Sequence, residues 1–166
     1  KEIPFALKTK KSQVSFKGAS DTELAAGSFG QGKVLVTPLN MSLMVSGIAN
    51  KGEIMAPILV KGERERVIST ISDVFTINSL KDMMVQVVER GTGTNGRIDN
   101  IKVAGKTGTA ENPSKKTHAW FVGFAPADDP RISVTIVLEQ DDTTGGSSAA
   151  PIGRNIIIEG LRRLQD

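Results

Sequence analysis

Three strand-like runs in the second half of the chain constrain its fold more than any other feature. They cover residues 101–110, 118–125 and 131–139. The last two are separated by Ala127-Asp128-Asp129-Pro130, whose composition is typical of a tight turn. The sequence therefore predicts an antiparallel meander.

A helix with an unusually wide apolar surface is predicted before these strands. Thr37-Pro38 indicates its start, because threonine can cap the free amide groups and proline fits the first helical position. Asn50-Lys51-Gly52 indicates its end. So wide a surface favours a helix buried between other elements. The apolar residues are Leu39, Met41, Leu43, Met44, Val45 and Ile48.

A hairpin and a second helix are predicted next. Residues 53–77 alternate in a way that favours two strands joined around Lys61-Gly62-Glu63. The helix is predicted to begin at Ser79, where Ser79 and Asp82 resemble a capping box, and to end at Gly91. Its apolar stripe follows the i, i+3, i+4 spacing of a helix face. The stripe consists of Leu80, Met83, Met84, Val87 and Val88.

A last helix completes the predicted architecture. Ser147 or Ser148 is expected to cap it, and an apolar face is expected to pack on the sheet. That face consists of Ile152, Ile156, Leu161 and Leu164. The first thirty or so residues are polar and irregular, so we expect a solvated approach to the core. The predicted fold class is α+β, an antiparallel sheet packed with helices.

Composition argues against several kinds of site. The chain has no cysteine, and its one histidine, His118, has no second ligand at a recognisable spacing. We therefore expect no metal and no cofactor, and a structural role for His118. A net charge of +3 and 4% aromatic residues argue against a nucleic-acid surface. No apolar run is long enough to span a bilayer.

The glycines of residues 91–96 match the spacing of a dinucleotide-binding loop, but their context does not. That loop follows a strand and opens a helix, so that phosphate meets the helix N-terminus. Here a helix precedes the glycines and a strand follows them. We interpret the segment as a flexible connection.

The segment from Val103 to Glu111 carries the clearest chemical signal. In it Lys106, Thr107 and Thr109 lie beside glycines that leave room for a ligand to approach the backbone. A cation and two hydroxyls suit an anion, and an edge strand could also pair with a peptide. Taken alone, the pattern equally fits a glycine-containing edge strand with solvated side chains.

A wider set of segments resembles a known family. Lys106-Thr107-Gly108 is the third signature box of the penicillin-recognising serine enzymes. Other matching stretches occur in the family's order: Ser28-Phe29-Gly30-Gln31-Gly32, Val36-Thr37-Pro38-Leu39-Asn40-Met41, Ala49-Asn50-Lys51-Gly52, Val87 to Gly93, and His118 to Pro126. The chain resembles the C-terminal part of the transpeptidase domain of class B penicillin-binding proteins.

The resemblance implies a serine D,D-transpeptidase that acts on peptidoglycan stem peptides ending in D-alanyl-D-alanine, with β-lactams as covalent mimics. Lys106 would supply positive potential for the terminal carboxylate, and Thr107 and Thr109 would offer it hydroxyls. Gly108 would allow close approach, and the Thr109 amide would form half of the oxyanion hole. The parent protein would work outside the bacterial cell membrane, anchored through an N-terminal segment.

The chain departs from the family in one large respect. No serine has lysine three positions on, and none has asparagine two positions on, so the Ser-x-x-Lys and Ser-x-Asn boxes are absent. Since both precede Lys-Thr-Gly in the family, residues 1–166 are expected to be the C-terminal part of one domain. We expect this part to be inactive alone. We also expect it to be stable only by pairing with the N-terminal half, by self-association or by a rearranged packing.

The sequence leaves open two alternatives to a transpeptidase with the same fold. One is a β-lactam sensor or regulatory binding module. The other is a hydrolase, either a D,D-carboxypeptidase or a β-lactamase, which differs in how fast the acyl-enzyme reacts with water. The Gly-Gln-Gly and Thr-Pro-Leu segments favour the transpeptidase.

Overall fold

The computed structural model describes residues 3–112 and 116–165. It contains four α-helices and five strands within those residues. The helices are α1 (Asp21–Ser28), α2 (Pro38–Ala49), α3 (Val74–Arg90) and α4 (Ala150–Arg163). The strands are β1 (Glu53–Met55), β2 (Val67–Thr70), β3 (Ala104–Glu111), β4 (Thr117–Ala125) and β5 (Ile132–Leu138).

Strands β3, β4 and β5 form an antiparallel sheet in that order. Lys106 lies opposite Val122, and Phe121 lies between Thr107 and Ile136. The predicted meander is confirmed, with strand ends within a few residues of the expected ones. Strand β3, which carries Lys106, is at an edge of this sheet.

Helices cover both faces of the sheet. Side chains alternate between the two faces along each strand, so each face carries apolar side chains that a helix can bury. One face packs on α4, where Phe121 and Ile157 are fully buried in the same cluster as Val88. The other face packs on α2 and α3, where Phe124 meets Val45 and Met84. Burial of each such aromatic side chain contributes ~1.5–3 kcal/mol. The α+β fold class is therefore confirmed.

Helix α2 begins and ends as the sequence predicts. The Asn40 backbone N–H donates to the Thr37 hydroxyl at 3.2 Å, and Pro38 is the first helical residue. After Asn50 the chain turns through Lys51 and Gly52, both with positive φ. The predicted position between other elements is confirmed, because α2 contacts the sheet, β1 and α3, but one side of the helix is left uncovered. Val45 and Gly47 are buried in α2, whereas Met44 on another side is 41% exposed.

The N-terminal region contains a helix that the sequence interpretation missed. Ser20 caps α1 through a reciprocal pair with Glu23, in which the Ser20 hydroxyl accepts from the Glu23 N–H and the Glu23 carboxylate accepts from the Ser20 N–H. This Ser-x-x-Glu capping box is a local signal of a helix start. The prediction of an irregular segment is therefore wrong over α1, whereas the prediction that the region is solvated is confirmed, since no residue of α1 is buried.

The predicted hairpin is present but shorter than expected. Strands β1 and β2 pair antiparallel, with Ile54 opposite Ser69, and the loop between them includes Lys61-Gly62-Glu63. The hairpin does not extend to residue 77, because α3 already begins at Val74.

The predicted start of α3 at Ser79 is wrong. Asp73 caps the helix, and its carboxylate accepts from the Thr76 N–H at 2.9 Å and from the Thr76 hydroxyl at 2.7 Å. These bonds lower the pKa of Asp73 to about 2. Ser79 lies inside the helix, where its hydroxyl donates to the Phe75 carbonyl. Gly91 ends the helix, as predicted.

The C-terminal helix differs from the prediction in its cap and in its buried face. Helix α4 itself has no side-chain cap. Instead, Thr144 caps a wide turn over Gly145–Ala149 that leads into α4: its hydroxyl accepts from the Ser147 N–H, and the Ser147 hydroxyl accepts from the Thr144 N–H. The residues of α4 that are buried against the sheet are Ala150, Gly153 and Ile157. Of the predicted face, Leu161 packs against the core, whereas Ile152, Ile156 and Leu164 are 39%, 46% and 54% exposed.

Candidate functional site on strand β3

The residues singled out in the sequence lie together on strand β3. Lys106 and Thr109 are exposed, Gly108 is partly exposed, and Thr107 is buried, with 8% of its surface accessible. The Lys106 ammonium donates to the Thr107 carbonyl at 2.5 Å, which keeps the cation beside the strand. A positive charge and two hydroxyls therefore occur within four consecutive residues of an edge strand.

The free edge of β3 presents backbone groups as well as side chains. The Gln31 side-chain amide donates to the Thr109 carbonyl at 3.3 Å from outside the sheet. In an antiparallel pair, the N–H and C=O of one residue point to the same side of the strand. The Thr109 N–H therefore faces the open edge, as an oxyanion donor or a peptide-binding strand requires.

Two glycines of β3 serve different purposes. A Cβ on Gly105 would lie 2.7 Å from the Phe121 ring and 3.0 Å from Val88, so Gly105 is required by packing. A Cβ on Gly108 would have Trp120 Cβ, at 3.4 Å, as its nearest neighbour. The sheet itself therefore does not exclude a side chain at 108. Glycine there leaves the surface of the strand open to a ligand.

The loop before α4 packs closely against β3. The Gly145 N–H donates to the Thr109 hydroxyl at 3.4 Å. A Cβ on Gly145 would lie 2.1 Å from the Trp120 carbonyl oxygen and 2.5 Å from that of Gly108. This contact holds the middle of the strand against the rest of the domain.

The glycine-containing connection of residues 91–96 also packs against the site. The hydroxyls of Thr92 and Thr107 are 2.6 Å apart. The Asn95 side-chain amide donates to the Gly146 carbonyl at 2.9 Å, and Gly93 and Gly96 are buried. The interpretation of this segment as a flexible connection is therefore wrong, because it is a packed loop that touches β3 directly.

His118 is the second residue of β4, and two hydrogen-bond partners hold its ring. Its Nδ1 accepts from the Gln140 backbone N–H at 3.2 Å, and its Nε2 is 3.2 Å from the Asn112 side-chain amide. Both ring nitrogens are thus used within the fold, as a structural role requires. Among the residues that the structure describes, no three His, Asp or Glu side chains are grouped to hold a metal ion.

Sequence reasoning did not identify two residues that contact the site. Gln31 was noted within the Gly-Gln-Gly stretch, but its contact with Thr109 joins positions 78 residues apart. Thr92 was noted within the Val87 to Gly93 stretch and otherwise interpreted as part of a connection. Neither contact has a local signal, since both depend on how distant segments pack.

An edge strand with Lys-Thr-Gly-Thr, in an antiparallel sheet covered by helices, defines the class of penicillin-recognising serine enzymes. Within that class, the chain belongs to the family of the penicillin binding protein transpeptidase domain, which it matches over residues 3–158.

Known proteins similar to this chain support that assignment. The chain is 36% identical over 158 residues to the peptidoglycan D,D-transpeptidase PbpA of Mycolicibacterium smegmatis. The match covers 84% of the chain and 32% of PbpA. The crystal structure of PBPA from Mycobacterium tuberculosis matches 96% of the chain and 40% of that protein, with a TM-score of 0.86 and 31% identity. A penicillin G acyl-enzyme complex of penicillin-binding protein A from M. tuberculosis matches with a TM-score of 0.84 and 28% identity, over 97% of this chain and 40% of that one.

The class B resemblance seen in the sequence is thus confirmed. The chain spans about a third of the length of the curated PbpA protein that it matches. None of the helices in the part of the chain that the structure describes has both the length and the apolar content needed to cross a bilayer.

Proposed function

We propose that this chain is the substrate-binding part of a peptidoglycan D,D-transpeptidase. The observation that carries the proposal is the edge strand β3, which combines Lys106, two threonine hydroxyls and outward-facing backbone groups. This arrangement suits a peptide that ends in a carboxylate, because the backbone can pair with the strand while the cation and hydroxyls bind the anion. The name of the related PbpA protein supports the same reaction.

Each residue of the strand has a distinct role in this proposal. Lys106 attracts the terminal carboxylate of the stem peptide, and the hydroxyls of Thr107 and Thr109 donate hydrogen bonds to it. Gly108 lets the peptide approach the strand. The Thr109 N–H stabilises the negative charge that develops on the carbonyl oxygen of the attacked bond.

The attacking serine must come from another part of the polypeptide. No serine in the chain has lysine three positions on, so residues 1–166 offer no nucleophile paired with a lysine base. We propose that the parent protein supplies the Ser-x-x-Lys and Ser-x-Asn boxes upstream of residue 1. Acyl transfer by residues 1–166 alone is therefore not expected.

Helix α4 has an exposed apolar surface on the side away from the sheet. We propose that this upstream half of the domain covers it. The outer side of α4 forms an apolar groove with Ile132, lined by Ile152 and Ile156 and about 430 Å³ in volume. An apolar surface of this kind is stabilised when another element covers it. Sedimentation tests this idea, since the isolated chain should self-associate and the longer protein should not.

We place the parent protein at the outer face of the bacterial cell membrane, where peptidoglycan is assembled. An N-terminal membrane anchor is part of this proposal. Cell fractionation with an antibody against residues 1–166 tests it, and recovery of the protein from the cytoplasm would contradict it.

Intact mass spectrometry after exposure to benzylpenicillin tests the function directly. The longer protein should gain the mass of one penicillin, and that adduct should persist. Lys106→Gln should slow its formation, whereas Lys102→Gln should not, because exposed Lys102 pairs with Asp128 outside the motif. A protein that stays unmodified with the drug intact would refute the proposal. An unmodified protein with the drug destroyed would indicate a β-lactamase.

A further inference from the structure

The hydroxyls of Thr92 and Thr107 form a hydrogen bond, and the proposed function gives no role to this bond or to Thr92. Their oxygens are 2.6 Å apart, and either can donate to the other. Thr107 is buried on β3, whereas Thr92 lies in the loop that follows α3. The contact therefore connects the substrate-binding strand to a residue outside it.

The backbone around Thr92 is firmly held. The N–H groups of Gly91 and Gly93 both donate to the Val87 carbonyl at the end of α3, at 3.1 and 2.9 Å. A Cβ on Gly146 would lie 2.2 Å from the Thr92 carbonyl oxygen, so the two backbones are in close contact. Thr92 thus presents its hydroxyl to Thr107 from a fixed position.

The number of protons in this pair limits what Thr107 can do. A hydroxyl has one proton to donate and two lone pairs that accept. If Thr107 donates to Thr92, it has no proton left for an anion. To donate to a carboxylate, Thr107 must instead accept from Thr92, and the two bonds then strengthen each other.

We propose that Thr92 is a positioning residue, whose hydroxyl orients the Thr107 proton towards the substrate carboxylate. This inference rests on the proposed function, since it assumes that Thr107 binds the carboxylate. Thr92 acts only through Thr107. Its effect should therefore be larger with substrates that carry the carboxylate than with substrates in which it is masked as an ester, because a hydrogen bond to a charged acceptor is roughly twice as strong.

The experiment compares acylation by benzylpenicillin and by benzylpenicillin methyl ester. The longer protein with its upstream serine is used, and the second-order acylation rate constant is measured for each compound. Thr92→Val keeps the shape but removes the hydroxyl, and it should slow the free acid about fivefold to tenfold. The rate with the ester should fall by a clearly smaller factor, because its neutral carbonyl accepts a weaker hydrogen bond. Thr92→Ser keeps a hydroxyl and should retain the wild-type rate with both compounds.

Coupling to Thr107 gives a second measurement. In a Thr107→Val background, Thr92→Val should have no further effect on the rate with benzylpenicillin, because the partner hydroxyl is already gone. Equal slowing of acid and ester by Thr92→Val would overturn the inference, as would a Thr92→Ser variant as slow as Thr92→Val. If the wild-type protein is not acylated by benzylpenicillin at all, the proposed function fails and this inference fails with it.

Discussion

Replacing Gly145 by alanine tests how tightly the loop before α4 is packed against strand β3. The added Cβ would lie 2.1 Å from the Trp120 carbonyl oxygen, 2.5 Å from the Gly108 carbonyl oxygen and 2.9 Å from the Gly108 nitrogen. All three atoms belong to the backbone of paired strands. No side-chain rotation can relieve the overlap, so the loop or the sheet must move.

The expected cost follows from this geometry. Inserting a methyl group into a well-packed site costs typically about 1–3 kcal/mol, and the upper end applies where the backbone must shift. We therefore expect a loss of about 3 kcal/mol in the free energy of unfolding. A domain of 150–250 residues would melt roughly 6–12 °C lower after such a loss, and the shift in the longer protein should be smaller because its unfolding entropy is larger.

Gly160 provides a matched control. A Cβ there would also lie 2.1 Å from its nearest atom, but that atom is Ile132 Cδ1, the end of a side chain that can rotate. Gly160 lies within α4, where alanine is favoured over glycine by about 1 kcal/mol. Gly160→Ala should therefore leave the melting temperature nearly unchanged.

Thermal unfolding of the longer protein, followed by circular dichroism, measures both variants. Acylation by a fluorescent penicillin should also slow in Gly145→Ala, because the displaced atoms belong to Gly108, next to Thr109. A Gly145→Ala protein that melts at the wild-type temperature, or a Gly160→Ala protein that is the less stable of the two, would refute the reasoning.

Three further predictions concern single side chains. Lys106→Gln should reduce the acylation rate constant for benzylpenicillin roughly 10- to 100-fold without changing the melting temperature, because it removes the exposed charge that we propose binds the carboxylate; an unchanged rate would contradict that role. Phe121→Ala should lower the free energy of unfolding, measured by urea titration, by about 3–5 kcal/mol, because this ring is fully buried. A loss below about 1 kcal/mol would contradict that packing. Asp73→Ala should lower the melting temperature above pH 3.8, because the pKa of Asp73 falls from 3.8 to about 2 on folding and its carboxylate stabilises α3. This difference should shrink as the pH falls towards 2, and a difference that grows in acid would contradict the cap.

The sheet and the candidate strand could be predicted because their signals are local. Strands β4 and β5 are short runs rich in strand-forming residues, and a turn of typical composition separates them. Lys106-Thr107-Gly108 is a contiguous motif. The cap of α2 is equally local, since Thr37 and Pro38 are adjacent.

The start of α3 and the buried face of α4 could not be predicted in the same way. Val74 to Ile77 are β-branched or aromatic, so their propensity favours a strand, and the Asp73 cap outweighs it. In α4, Ile156, Ile157 and Ile158 are consecutive, and sequence periodicity does not select one of them. Packing selects Ile157, because Gly153 on the same face leaves room for the Phe121 ring.

The two loops that hold β3 also determine when the site can form during synthesis. Thr92 precedes the strand in the chain, but Gly145, Gly146 and helix α4 follow it. A ribosome therefore releases Lys106-Thr107-Gly108-Thr109 before the segment that packs against them has been made. Until residues 144–157 have emerged, β3 lacks the close backbone contact at Gly145 and the core contact of Ile157. The proposed substrate-binding strand is thus completed late, and we expect a nascent chain that stalls before α4 to bind no penicillin.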